Sequence, residues 1–64
     1  MAYHVSITEH KAALAAPVCV LYAGLSYQKA FDAAIKARSV REFRGKWIKF
    51  EDGELGVTKW GKVL

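Results

Sequence analysis

Apolar and polar residues alternate from Tyr3 to Thr8, with Tyr3, Val5 and Ile7 on one side and His4, Ser6 and Thr8 on the other. A period of two predicts a half-buried strand. Residues 9–16 keep no such period, and their alanines suit either a short helical turn or a loop. Residues 17–23 form an apolar run rich in β-branched side chains and read as a central strand. The period then becomes helical. Ser26 is a good N-cap, and Leu25 before it is placed to pack on Ala30 as a hydrophobic staple. From Tyr27 to about residue 39, the residues Tyr27, Ala30, Phe31, Ala34, Ile35 and Ala37 gather on one side. Gln28, Lys29, Asp32 and Lys36 take the other, with Asp32 and Lys36 spaced for an i,i+4 ion pair. The alanines let such a helix lie close to a sheet.

The remainder reads as a hairpin. Asp52-Gly53 predicts a two-residue type I′ turn, whose central positions both need positive φ. That turn sets Phe50 opposite Leu55, Ile48 opposite Val57 and Trp47 opposite Thr58. Ile48, Phe50, Leu55 and Val57 then form the core face under the helix, while Trp47, Lys49, Thr58, Trp60 and Lys62 point the other way. The expected fold is α+β in the order β-β-α-β-β, an antiparallel sheet of about four strands with one helix on one face. The unit is a single domain over residues 1–64, without repeats or linkers.

Length limits the core. A chain of 64 residues buries only about 60% of the surface its unfolded form exposes. Cys19 is the only cysteine, which excludes an internal disulfide and fits a reducing, cytoplasmic setting. Its apolar neighbours Val18, Val20 and Leu21 make it a small core residue rather than a reactive thiol. Residues 12–25 carry no charge, but Glu9 precedes them and Pro17 interrupts them, which argues against a secretion signal. The run is also too short to span a bilayer as a helix.

Charge adds a direction. Ten basic side chains against six acidic ones give +4, and the excess is uneven. Lys36, Arg38, Arg41, Arg44, Lys46 and Lys49 are opposed in their stretch only by Glu42. Such a local field favours an acidic partner, whether nucleic acid or a negative protein surface. Lys36 and Arg38 near a helix C-terminus also offset its dipole. Arg41 and Arg44 have no such local role, and arginine offers a planar fork of donors matched to phosphates and carboxylates.

A second candidate surface lies on the sheet. With one helix covering one face, nothing in so short a chain is left to cover the other. Trp47 and Trp60 are then neighbours on an open face flanked by Lys49 and Lys62, a set suited to base stacking or to burial against a protein. Structural duties compete with both readings: a solvated loop for the arginines, and an irregular core edge or dimer seam for the tryptophans.

Catalytic sets are missing from the sequence. His4 and His10 are too far apart on an extended segment to share a metal unless the chain doubles back. Glu51, Asp52 and Glu54 crowd a hairpin tip without calcium-loop spacing. Gly45, Gly53, Gly56 and Gly61 form no phosphate-binding motif. No enzyme activity, metal or cofactor is expected.

The stretch from Val20 through Tyr22, Ala23, Gly24, Leu25, Ser26 and Tyr27 to Ala34 ends a strand in Tyr-Ala, caps a helix with Ser and continues with alanines. Over this middle third the chain resembles tiny phage-encoded inhibitors of host machinery, namely host RNA polymerase inhibitors and some anti-CRISPR proteins. The resemblance carries over no functional residue. It implies a stoichiometric blocker of a nucleic-acid-handling host machine, acting in the host cytoplasm.

The leading expectation is therefore a non-enzymatic inhibitor that docks on a large host protein or nucleoprotein complex, away from membranes. Its binding residues are Arg38, Arg41, Arg44, Lys46, Trp47, Lys49, Trp60 and Lys62. One alternative is direct nucleic-acid binding, with the basic residues on phosphates and Trp47 or Trp60 on bases. Another is a module whose open sheet face pairs with a copy of itself to form a homodimer.

Overall fold

A computed structural model describes residues 2–64. Its elements are β1 (Tyr3–Thr8), β2 (Pro17–Gly24), α1 (Tyr27–Ala37), one short helical turn (Arg41–Phe43), β3 (Trp47–Asp52) and β4 (Val57–Lys62). The four strands form one antiparallel sheet in the order β2-β1-β3-β4, with the helix against one face. The fold is thus α+β in the expected order.

The core follows the alternation read from β1 and β3. Val5 stands opposite Phe50 and Ile7 opposite Ile48. Together with Tyr3, Ala30, Ala37 and Val63 these side chains form the buried cluster. Cys19, Leu21 and Phe43 pack on its margin. The central strands are β1 and β3, so the run 17–24 is an edge strand rather than a central one. Two irregularities in its register pass over Leu21 and Val18, and Val18 and Val20 are exposed. Pro17, which lacks an N–H, is tolerated at the start of an edge strand.

Helix α1 starts as its cap predicts: the Ser26 hydroxyl accepts from the Lys29 N–H at 3.2 Å. The staple does not form, because Leu25 stays exposed. Instead the Ser26 N–H donates to the Tyr22 hydroxyl at 3.0 Å, which ties the cap to β2. Asp32 accepts from Gln28 at 3.1 Å, and no Asp32–Lys36 ion pair is present among the described residues. The six apolar residues that periodicity gathers on one side of the helix divide in the fold. Ala30 and Ala37 are buried and Ala34 partly so, while Tyr27, Phe31 and Ile35 remain about half exposed.

The hairpin register also differs from expectation. Asp52 pairs with Val57, Phe50 with Lys59 and Ile48 with Gly61, so the loop spans four residues. Leu55 therefore lies in the loop, exposed, and Val57 is half exposed. Every partner moves by four positions, an even number. Facing is preserved under an even shift, so Trp47, Lys49, Thr58, Trp60 and Lys62 do share the face away from the helix. That face is not left bare. The Lys49 ammonium donates to the Ala13 carbonyl at 2.8 Å, holding the loop 9–16 across it, and Ser6 and Thr8 beneath are buried.

Candidate anion-binding hollow and its neighbouring groove

Three of the candidate residues converge. Arg38 follows the last turn of α1, Arg41 opens the short helical turn, and Arg44 closes it. With Ser39, Val40 and Leu64 they line one hollow of about 260 Å³. The chain bends there because the helix ends at Arg38, whose N–H and that of Ser39 are spent on the carbonyls of Ile35 and Lys36. Val40 then donates to Ala37, and Arg44 to Arg41, so successive short turns keep the arginines on one side. No acidic side chain lines the hollow. None of the three arginines forms an ion pair among the described residues. Three guanidiniums on one side of the chain with no acidic side chain among them favour a carboxylate or phosphate nearby.

The remaining candidates are already engaged. Lys46 pairs with Glu9 at 2.9 Å, and Lys49, besides its bond to Ala13, lies 3.8 Å from Glu51. Lys62 sits 5.1 Å and Lys11 5.5 Å from the centre of the Trp47 ring, a cation–π arrangement. Trp60 pairs with Lys49 across the strands and is half buried. Lys11 was not among the residues expected at this face, since nothing in a loop without periodicity marks where its side chains return.

A second concavity opens on the helix side. Because α1 lies over β2, β1 and, less closely, β3, the β4 edge of the sheet is left open there. Tyr27, Phe31, Ala34 and Ile35 form one wall, Ile48 and Phe50 the floor, and β4 from Lys59 to Lys62 the other wall. The volume is about 350 Å³. Arg38 lines this groove as well as the hollow, so the two lie side by side. Gly61 was legible as a strand glycine, which often marks close approach of another group. The wall residues were not, because the same stripe serves equally well as core.

No group of three or more His, Cys, Asp and Glu side chains is arranged to hold a metal among the described residues. No described helix is long and apolar enough to cross a membrane. Together the fold and the hollow define a small α+β domain that presents clustered arginines beside an apolar groove. Comparison with protein-family models, with curated proteins and with solved structures yields no match.

Proposed function

We propose that this chain is a non-enzymatic binding protein that docks on an acidic surface of a larger protein. A nucleic-acid-handling machine is the expected target, but the surface that receives its phosphates is itself basic, so these arginines fit an acidic patch elsewhere on it. In that form the reading agrees with the resemblance to phage-encoded inhibitors of nucleic-acid-handling machines. One observation carries it: among the described residues, Arg38, Arg41 and Arg44 share a hollow with no acidic side chain in its lining and no ion pair. Desolvated, bidentate arginine–carboxylate contacts are among the strongest that a protein interface makes.

Direct nucleic-acid binding is the second reading, and the same hollow would also accept a phosphate. The sheet face favours it less. Base stacking needs a free aromatic face, whereas the Trp47 ring has lysine ammoniums from Lys11 and Lys62 against it. Lys49 is likewise committed to the loop.

Titration of labelled single- and double-stranded DNA and RNA at low and at physiological salt separates the two. A protein-directed binder gives only a low-salt background that fades as salt competes for phosphate contacts. Micromolar or tighter binding at physiological salt, weakened by Trp47→Ala or Trp60→Ala, would transfer the function to direct nucleic-acid recognition.

A further inference from the structure

We infer that the groove between α1 and β4 receives a short, extended segment of the partner, with apolar side chains on the groove floor and carboxylates at the Arg38 end. This rests on the reading of the arginine hollow as an acidic docking site and extends it to the groove. Both ends of the groove have a defined chemistry. At one end, Tyr27 packs against Tyr3 and Phe50 with ring centres 5.6 and 5.8 Å apart, and against Phe31 at 6.1 Å. At the other, Arg38 borders the hollow.

The length between those ends follows from helix geometry. Tyr27 and Arg38 are 11 residues apart, about 16 Å along a helix at 1.5 Å per residue. An extended chain at about 3.3 Å per residue covers that distance in about five residues. Alternate side chains of such a segment meet the floor at Ile48 and Phe50 and the wall at Phe31 and Ile35.

Charge selects the occupant. The lining contains the charges of Arg38 and Lys59 and no acidic side chain, while the Lys62 ammonium turns to the other face, over Trp47. A second copy of this chain would bring its own excess of +4 against that rim, and like charges across an interface are unfavourable. An acidic partner segment removes the conflict. Forked donors at Arg38, Arg41 and Arg44 then meet a row of carboxylates as the segment leaves the groove.

Gly61 makes the groove possible. It stands opposite Ile48 on the helix side, and a Cβ built there would meet nothing within 4 Å. A side chain added at this position therefore starts into open space on the groove side rather than against the core.

The test uses three synthetic peptides of about eight residues and the amide NMR spectrum of the whole chain. One alternates leucine with serine and ends in glutamates; the second replaces the glutamates by lysines; the third replaces the leucines by serines. The leucine–glutamate peptide is expected to shift the resonances of Phe31, Ile35, Gly61 and Arg38. It should bind at least about tenfold more tightly than the leucine-free one, as burial of one or two leucines implies. The lysine peptide should not bind. Gly61→Phe should keep the native spectrum, lose that tenfold gain, and bind the leucine-free peptide as the wild type does. Ile35→Ser, at a half-exposed wall position, should weaken the leucine–glutamate peptide in the same direction. Equal binding of the leucine–glutamate peptide by wild type and both variants overturns the inference, as does equal affinity with and without leucines. If either of those overturning results is found while the leucine-free peptide still shifts Arg38, Arg41 and Arg44, the hollow stands and only the groove reading fails. If no glutamate peptide binds, both fail.

Discussion

The Asp52 carboxylate accepts the backbone N–H of Leu55 at 3.0 Å, and the same oxygen accepts that of Glu54 at 3.0 Å. Asp52 is buried at the end of β3, and its own carbonyl accepts from Gly56 at 2.8 Å. This pattern closes a four-residue loop, with Gly56 at φ +70° completing it. A capping carboxylate of this kind competes with the tight turn that Asp-Gly otherwise favours. Asp52→Ala should cost about 1–2 kcal/mol in urea unfolding, while Asp52→Asn, which keeps an acceptor, should cost less. Gly56→Ala should cost about 1 kcal/mol through its positive φ alone, since nothing lies within 4 Å of the added Cβ. Neutral outcomes at both positions would contradict this loop.

Alkali should weaken the fold through Tyr3. Its hydroxyl donates to a Glu54 carboxylate oxygen at 2.8 Å, and that hydrogen bond, aided by burial, pushes the Tyr3 pKa up from 10.0 to about 12. A pKa raised in the folded state means that folding holds the proton more tightly. The stabilisation is full below about pH 10 and is lost as pH rises through the interval to about 12. The urea midpoint of the wild type should therefore fall more steeply over that range than that of Tyr3→Phe. Parallel curves would remove Tyr3 from the account.

Lys49 should govern the loop 9–16. Its ammonium provides the bond to Ala13 that holds the loop over Ser6 and Thr8. Lys49→Met keeps the apolar stem and deletes that bond. Limited proteolysis with an alanine-directed protease should then cut within 9–16 several-fold faster, because local opening controls cleavage of exposed segments. An unchanged cleavage rate would show that the loop is held by other contacts.

The strands, the helix and the face occupied by Trp47, Lys49, Trp60 and Lys62 were legible because period and parity are local properties. Parity even survived a wrong turn, since the register error was an even number of residues. Edge and centre were not legible. Residues 17–24 have the composition of a central strand, and only the pairing of β1 with β3 displaces them to the edge. The convergence of Arg38, Arg41 and Arg44 was half visible as a basic stretch; their sharing of one hollow depends on the turns after α1. The groove escaped the sequence because helical periodicity marks an apolar stripe without saying how much of it the sheet reaches. Small Ala30 and Ala37 take the contact, and the larger Phe31 and Ile35 are left beside β4.

Capture from nuclease-treated bacterial lysate at physiological salt addresses the central claim most directly. The comparison is between the immobilised wild type and a variant carrying Arg38→Ala, Arg41→Ala and Arg44→Ala together. The account predicts a protein retained in stoichiometric amount by the wild type after nuclease treatment and lost from the triple variant, with both folded by their amide spectra. Equal retention by the two, or retention that nuclease abolishes, would contradict it.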